Sequence, residues 1–342
     1  MIKGHGNNPY ETKYRICIDF SSNIAFNSKR ELITEHIIEE IGFIHNYPDP
    51  EATELRERIA HHHNTNIHSV LITNGSAEAF YILAHYTAAS KTAIFIPSFA
   101  EYEDACKLYN HRITYIESEA ILRSKLSDYR TIWVGNPNNP DGRILPYEII
   151  KRLCDKNSQS LIILDQAYVH LSKSTTICQS KGERPKNLIE IHSLTKAFAI
   201  PGLRLGYIIA SPNIISKLFN MRPPWSVNSI ALNTGYFIMS QFEKLLPDKD
   251  ELFSESLFLQ EELKKIEGID VLPSCSNFFL SKIALISSHQ LKEELIKRYG
   301  ILIRDASNFR GLTNNHFRVA AQSRNKNVEL IKAIQEILQE FK

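Results

Sequence analysis

The chain has 342 residues, of which 43% are hydrophobic and 23% are charged, and its formal net charge is +2 at pH 7. This length and apolar content predict a globular protein with one large domain and one smaller domain. Because Lys and Arg are spread along the chain rather than clustered, we expect small molecules as partners and neither nucleic acid nor a membrane.

The cysteines and the N-terminus indicate the compartment. The five cysteines are far apart and form no C-x-x-C arrangement, which is typical of reduced thiols and makes a disulfide or zinc framework unexpected. The N-terminus is polar, and no run approaches the roughly 18 to 20 apolar residues of a membrane span. We therefore expect a soluble cytoplasmic protein.

From residue 70 to residue 210, short β-rich runs alternate with helical patterns such as "SAEAFYILAHY". This alternation is typical of βαβ units and predicts an α/β core with a mostly parallel, seven-stranded sheet. The predicted strands are "VLIT" (70–73), "TAIFI" (92–96), "RITYI" (112–116), "TIWV" (131–134), "LIILD" (161–165), "LIEI" (188–191) and "LGYIIA" (205–210).

After residue 212 the pattern is first helical and then alternates short strands, including "ILIRD" and "HFRVA", with helices. This indicates a smaller α+β domain, joined to the large domain by a continuous helix near residues 226–245. We predict a large domain over residues 43–240. The small domain comprises residues 1–42, an N-terminal arm, together with residues 241–342.

Three turns at predicted strand ends carry polar residues. "TNGSAEAF" (73–80) leads from a strand into a helix at Ser76 and offers free N–H groups to a phosphate, although many βα turns look like this. "NPNNPDG" (136–142) is also typical of an ordinary turn. In "LIILDQAY", Asp165 ends a strand with Tyr168 nearby, and such an acid is often only a helix cap.

Lys196 lies in "SLTKAFAIPGLRLGY" (193–207), just after a predicted buried strand. A lysine chosen at random is usually solvated, but in open α/β sheets ligands bind at the carboxyl ends of the strands. Apolar surroundings lower the pKa of a lysine and suit it to Schiff-base chemistry. Ser193 and Arg204 lie close to it in the sequence.

Together these residues match the needs of an aldehyde cofactor with a pyridine ring and a phosphate. Asp165 would keep the ring nitrogen protonated, so that the ring accepts electrons, and Ser and Arg would bind the phosphate. Tyr168 and Asn139 would hydrogen-bond the phenolic oxygen of the ring. Phe99, in "PSFAEY", offers a flat face for stacking.

Over essentially its whole length the chain resembles the fold-type I pyridoxal-phosphate enzymes, in the histidinol-phosphate aminotransferase-like branch. The matching stretches are "NYPDPEATELRERIA", "NGSAEAF", "NPNNPDG", "LDQAY", "SLTKAFAIPGLRLGY" and "FRVAAQS". The resemblance implies the fold-type I transferase fold and pyridoxal 5'-phosphate as cofactor, with Lys196 as the Schiff-base lysine and Asp165 as the partner of the ring nitrogen.

By the same resemblance, the phosphate ligands are Ser193 and Arg204 beside the turn at Ser76 and Ala77. Tyr47, in "NYPDP", would reach the phosphate in a neighbouring subunit, which implies a homodimer. Gln166 stands where the family usually has Glu in "DEAY". We expect little effect, since the functional acid is Asp165.

Within this branch, four stretches look like the threonine-phosphate decarboxylases of cobalamin synthesis: "GHGNN", "IDFSSNIAF", "PPWSVN" and "ILIRDASNFRGL". The resemblance implies decarboxylation of L-threonine O-3-phosphate to (R)-1-amino-2-propanol O-2-phosphate. The first alternative is a histidinol-phosphate-type aminotransferase, and a more remote one is a cofactor-binding protein without catalysis.

A decarboxylase must hold the substrate carboxylate perpendicular to the ring plane, so we expect its strong cationic contacts to go to the substrate phosphate. Arg304 and Arg318, each in a predicted strand, can form that anion clamp, although a lone strand arginine is usually structural. By resemblance, the clamp is completed by His5, Gly6 and Asn23, with Asn139 also facing the substrate. We predict no metal site.

The run "HHH" (61–63) is the one apparent metal motif. Successive helical residues point about 100° apart, so three adjacent histidines cannot converge on one ion. We interpret the run as a solvated helix end.

Overall fold

The computed structural model describes residues 12–121, 123–173 and 184–341. Within these ranges, no helix combines the length and the apolar character that crossing a membrane requires. The helices are α1 (Arg30–Glu39), α2 (Thr53–His62), α3 (Gly75–Tyr86), α4 (Ala100–Leu108), α5 (Tyr147–Lys156), α6 (Pro212–Phe219), α7 (Ser229–Ser240), α8 (Phe242–Leu245), α9 (Lys249–Lys264), α10 (Ser288–Tyr299) and α11 (Arg324–Gln339).

The strands form three sheets. Seven of them build the large sheet: β2 (Val70–Thr73), β3 (Lys91–Ile96), β4 (Arg112–Glu117), β5 (Thr131–Gly135), β6 (Leu161–Asp165), β7 (Leu188–Ser193) and β8 (Gly206–Ile209). The others are β1 (Ile18–Asp19), β9 (Ile269–Val271), β10 (Phe278–Ile283), β11 (Ile301–Leu302), β12 (Arg304–Asp305) and β13 (His316–Ala320).

The large sheet has the order β2-β8-β7-β6-β5-β3-β4. All neighbouring strands are parallel except at β8, which runs antiparallel to both β2 and β7. Each of its strands overlaps one of the seven predicted runs, so the predicted mostly parallel, seven-stranded α/β core is confirmed. The carboxyl ends of its parallel strands share one edge, where the turns after β5, β6 and β7 meet.

Both faces of this sheet are covered, which explains why β5 and β6 are largely apolar. Trp133 and Ile163 pack with side chains of α3 and α4 on one face. Ile132 and Ile162, their neighbours in sequence, pack with α5 on the other face. A rigid double-covered sheet therefore supports the loops at its carboxyl edge.

The C-terminal part forms a four-stranded antiparallel sheet in the order β12-β13-β10-β9. The short strand β1 pairs in parallel with β11, with Ile18 opposite Ile301. Side chains of β1, α9, α10 and α11 share one hydrophobic core with this sheet. The division of the chain into domains at residues 42 and 240 stays a prediction.

Three local expectations are wrong. The predicted helix over residues 226–245 is interrupted, because Gln241 has a non-helical backbone and separates α7 from α8. The predicted strand "ILIRD" divides at Ile303, since β11 pairs with β1 whereas β12 pairs with β13. The "HHH" run is not simply a solvated helix end: His61 is exposed, but His63 is buried.

Candidate active site

A cavity of about 290 Å³ opens at the carboxyl edge of the large sheet, between that sheet and the C-terminal part of the chain. It brings together most of the residues that the sequence predicts for the site. Its lining includes Asn23, Ser76, Ala77, Phe99, Asn139, Asp165, Tyr168, Lys196, Arg204, Arg304 and Arg318. These residues come from five strand ends of the large sheet, from the N-terminal segment and from two strands of the small sheet.

Lys196 follows β7 and reaches the cavity from its carboxyl end. Burial, followed by the positive charges of Arg204 and Arg318, lowers the pKa of Lys196 to about 8, while Asp165 acts in the opposite direction. More of this amine is therefore uncharged at neutral pH than in an ordinary lysine, although most of it still carries its proton. An uncharged lysine amine is the form that attacks a carbonyl carbon.

Asp165 ends β6, and only 6% of its surface is exposed. Its Oδ1 accepts a hydrogen bond of 2.9 Å from the backbone N–H of Ala167, and its Oδ2 accepts one of 2.5 Å from the Tyr102 hydroxyl. Burial raises the pKa of Asp165 despite these hydrogen bonds. A desolvated carboxylate held in this way is stabilised by a cationic partner, such as a protonated ring nitrogen.

Tyr102 is a site residue that the sequence analysis missed. It lies on α4, three residues after Phe99, and its ring stacks on Trp133 with centroids 5.5 Å apart. Burial, with the negative charge of Asp165, holds the pKa of Tyr102 well above its usual value, so the hydroxyl keeps its proton. The sequence feature that could have identified Tyr102 is its position one helical turn after Phe99, the predicted stacking residue.

The turn between β2 and α3 forms an anion cradle. Gly75 has a φ of 74°, and Arg204 has a φ of 57°. A Cβ on Gly75 would lie 2.5 Å from Nη2 of Arg204, so the guanidinium lies directly against the start of α3. Backbone N–H groups at a helix N-terminus and a guanidinium together match a phosphate group.

Ser193 and Tyr47 are the two predicted cofactor ligands that do not line the cavity. Ser193 is buried, and its Oγ lies 2.8 Å from Oγ1 of Thr195, which does line the cavity. The sequence analysis missed Thr195, although a hydroxyl directly before the lysine was visible in the motif. Tyr47 is 87% exposed, and its ring packs against Trp225 on the surface.

Tyr168, Asn139 and Phe99 form other walls of the cavity. Burial is the main cause that raises the pKa of Tyr168, so its phenol stays protonated and can donate a hydrogen bond. Asn139, from the turn after β5, accepts a hydrogen bond through Oδ1 from Nη1 of Arg318. Phe99 precedes the first residue of α4 and packs edge-on against Phe80.

Arg304 and Arg318 are opposite each other on the paired strands β12 and β13. Nη2 of Arg318 donates a hydrogen bond of 2.5 Å to the carbonyl oxygen of Ser21, and Nη2 of Arg304 donates one of 2.7 Å to Oδ1 of Asn308. Two guanidinium groups thus flank one end of the cavity. Two predicted substrate ligands, His5 and Gly6, lie outside the described residues.

Unsatisfied polar atoms at the cavity show that it fits an anionic, hydrogen-bonding ligand. Oδ1 of Asn23 and Nε of Arg318 are buried, and neither has a hydrogen-bond partner among the residues that the structure describes. Burial lowers the pKa of Arg318 to about 10, so the guanidinium is still charged at neutral pH. A buried charge and an unpaired amide oxygen are costly unless a ligand satisfies them.

The chain is similar to known proteins over nearly its whole length. The model of the family described as "Aminotransferase class I and II" matches residues 15–334. An assigned threonine-phosphate decarboxylase of Caldanaerobacter subterraneus subsp. tengcongensis is 33% identical over 349 residues, which cover 98% of this chain and 94% of that protein. A histidinol-phosphate aminotransferase of the same organism is 31% identical over 327 residues, which cover 90% of each chain.

Among solved structures, the chain is similar to L-threonine-O-3-phosphate decarboxylase from Porphyromonas gingivalis. The TM-score is 0.90 and the identity is 33%, over 94% of this chain and 99% of the other. The similarity extends over both the large sheet and the C-terminal part. It shows that the predicted fold-type I architecture is correct.

Proposed function

Because this chain belongs to the class I and II aminotransferase family, whose members use pyridoxal phosphate, we propose that it decarboxylates L-threonine O-3-phosphate to (R)-1-amino-2-propanol O-2-phosphate, a reaction of cobalamin biosynthesis. The observation that carries the proposal is the pair Arg304 and Arg318, opposite each other at the end of the cavity that also holds Lys196. The similarity to threonine-phosphate decarboxylases supports it.

The proposed cofactor contacts follow from the positions around the cavity. Lys196 would bind the cofactor aldehyde, Asp165 would pair with the ring nitrogen, and the ring would stack on Phe99. The phosphate would lie at the N-terminus of α3, between Ser76 and Arg204. The proposed set is completed by Ala77, Tyr168, Asn139, Thr195 and Ser193. Ser193 would act through its contact with Thr195.

When bound, pyridoxal phosphate supplies an electron sink for the pair released as a bond to the substrate Cα breaks. The protein decides which bond that is, by holding it perpendicular to the plane of the ring. Asp165, fixed by Tyr102 and the Ala167 N–H, would keep the proton on the ring nitrogen. Nζ of Lys196, with its lowered pKa, would deliver the proton that replaces the lost carboxylate at Cα.

The two arginines would bind the substrate phosphate, which carries more charge than the carboxylate. Charge-assisted, bidentate contacts from Arg304 and Arg318 are the strong interactions available at this end of the cavity. Asn23, Asn139, His5 and Gly6 are the further proposed substrate ligands. Once the phosphate is anchored, the described lining of the cavity offers the carboxylate no guanidinium besides Arg204, the proposed ligand of the cofactor phosphate, and the bond from the carboxylate to Cα is free to turn upright.

We further propose that the protein works as a cytoplasmic homodimer. Tyr47 does not line the cavity of its own chain and is 87% exposed. Large apolar side chains are exposed around it, including Phe43, Ile44 and Trp225. A second copy packed on this face would cover them and bring Tyr47 to the phosphate in the neighbouring cavity.

The proposal is tested by incubating the pyridoxal-phosphate-loaded protein with L-threonine O-3-phosphate, with and without 2-oxoglutarate, while carbon dioxide and glutamate are both measured. We expect carbon dioxide without glutamate, at a rate independent of the keto acid. Lys196→Ala is the control for the chemistry, and L-threonine without phosphate is the control for the clamp. No carbon dioxide from the loaded protein would refute the proposal.

The main alternative is a histidinol-phosphate-type aminotransferase, which the 31% identity to such an enzyme favours. Histidinol phosphate also carries a phosphate for the two arginines but has no carboxylate to lose. Glutamate formation from histidinol phosphate and 2-oxoglutarate, without gas release, would establish this activity. Cofactor absorbance without turnover of either substrate would instead indicate a non-catalytic binding protein.

A further inference from the structure

Three buried side chains of the types that coordinate metals lie close together outside the cofactor cavity. His63, just past the end of α2, is 2% exposed; Glu190 and His192, on β7, are 1% and 2% exposed. One ligand atom from each of the three lies within 4.8 Å of the other two. None of the three lines the cofactor cavity.

The sequence analysis rejected a metal site because three adjacent histidines cannot converge on one ion. That argument holds for residues 61–63 alone. The fold removes the objection, because it combines one histidine of the run with two residues that lie well over a hundred positions further on. The ligand set is therefore two imidazoles and one carboxylate from a helix end and a strand.

The neighbours of the cluster resemble the outer shell of a metal site. Nε of Arg184 lies 3.4 Å from Oε1 of Glu190, whereas Oε2 of Glu190 lies 3.5 Å from Nε2 of His192. The hydroxyl of Tyr207 lies 2.9 Å from Nε2 of His63, and its ring stacks on His192. Glu190 thus has one oxygen oriented by an arginine and the other directed at the histidine, as in metal sites whose ligands are held by outer hydrogen bonds.

We propose that His63, Glu190 and His192 bind a zinc ion. Two imidazoles and a carboxylate are a ligand set that zinc commonly takes, with a fourth position left for an oxygen donor. The Tyr207 hydroxyl, 2.9 Å from Nε2 of His63, is an oxygen donor beside the cluster, and an ion on Nε2 of His63 would replace the hydrogen bond between them.

The distances suit this ion after a small inward movement. Bonds of about 2 Å place the ligand atoms of tetrahedral zinc about 3.3 Å apart. The ring centroids of His63 and His192 are 4.9 Å apart, close to the spacing of about 5 Å for two imidazoles on one zinc ion.

The consequence of zinc binding would be structural. The ion would join the end of α2 to β7. Lys196 lies three residues after the end of β7. An ion that binds only the folded protein stabilises it by mass action. It would also place a second positive charge beside the buried carboxylate of Glu190, which already contacts Arg184 at 3.4 Å.

The test is the zinc content of the full-length, untagged, pyridoxal-phosphate-loaded protein. The protein is dialysed against a chelator, then against zinc, freed of loose metal, and analysed by mass spectrometry for zinc per chain. We expect one equivalent of zinc per chain and a higher Tm than in the chelator-treated sample. Cobalt in place of zinc should give the intense visible bands of a four-coordinate site.

Two variants and a matched control locate the ion. Glu190→Gln and His63→Gln should each lose the equivalent of zinc, whereas His61→Gln, an exposed histidine on the same helix, should retain it. Cofactor absorbance reports whether each variant is folded. The proposal would be overturned by wild-type protein without bound zinc, by a six-coordinate cobalt spectrum, or by undiminished zinc in folded Glu190→Gln. The first two results come from the wild-type protein, so they test the proposal even if the variants fail to fold.

Discussion

The Tyr102 hydroxyl donates a 2.5 Å hydrogen bond to Oδ2 of Asp165, and both side chains are buried beneath the cofactor cavity. This contact links the helix after β3 to the carboxylate at the end of β6. It gives Asp165 one orientation, because its other oxygen accepts the N–H of Ala167. Tyr102 is therefore a positioning residue for the proposed partner of the ring nitrogen.

Tyr102→Phe should lower kcat about tenfold or more, since a hydrogen bond to a charged group contributes about 1.5 to 3 kcal/mol. The pH dependence of the bound cofactor's visible absorbance should shift as well, which a purely structural change would not cause. Tyr81→Phe is the matched control, because the Tyr81 hydroxyl donates a hydrogen bond of 2.9 Å to Glu101, away from the cavity. Unchanged kcat and spectrum in Tyr102→Phe would remove this role.

Gly75→Ala should weaken pyridoxal-phosphate binding about tenfold or more. The left-handed backbone costs alanine about 1 to 2 kcal/mol, and the new methyl group would meet the guanidinium of Arg204 at 2.5 Å. Gly202→Ala is the control, since a Cβ there has no atom within 4 Å. Cofactor titration followed by absorbance measures both, and equal affinities would show that the turn does not form the phosphate cradle.

The uptake of cofactor by cofactor-free protein should accelerate with pH, with a midpoint near the Lys196 pKa of about 8. The sign follows from the neutral amine being the attacking form, and its fraction increases as pH rises through the pKa. Arg318→Met should move the midpoint to higher pH, because a positive charge that lowers the pKa is removed.

Borohydride treatment, which fixes the cofactor covalently to the protein, measures this uptake at each pH. Lys196→Ala should retain no cofactor after the treatment, whereas Lys217→Ala, on the exposed face of α6, should behave as wild type. Covalent retention in Lys196→Ala, or a midpoint near the ordinary lysine value of 10.5, would contradict the assignment of Lys196.

Arg318→Lys should reduce kcat/KM for the phosphorylated substrate by about tenfold to a hundredfold. Lysine keeps the charge but loses the forked geometry that binds Asn139, Ser21 and an anion together, a loss of about 1.5 to 3 kcal/mol. Arg298→Lys is the control, because that side chain pairs with Glu340 and Glu294 away from the cavity. Wild-type kcat/KM in Arg318→Lys would exclude the arginine from substrate binding.

The sequence predicted the large sheet well because its strands are short, apolar and separated by clear helical patterns. It predicted cavity residues such as Asp165 and Lys196 because they lie at or just after the ends of these recognisable strands. It missed Tyr102, since a tyrosine on an amphipathic helix looks like core packing until the strand it faces is known. The burial of His63 depends on β7 and β8, which no local pattern around residues 61–63 reveals.

The pairing of β1 with β11 sets an order in which the molecule can be completed during synthesis. Ile18 leaves the ribosome long before Ile301 exists, so this pair forms only when nearly the whole chain has been translated. All seven strands of the large sheet, by contrast, are available once residue 209 has emerged. The residues of the proposed phosphate cradle and Lys196 are therefore all synthesised before Arg304 and Arg318, and the cavity wall that these two arginines form with Asn23 can be completed only at the end.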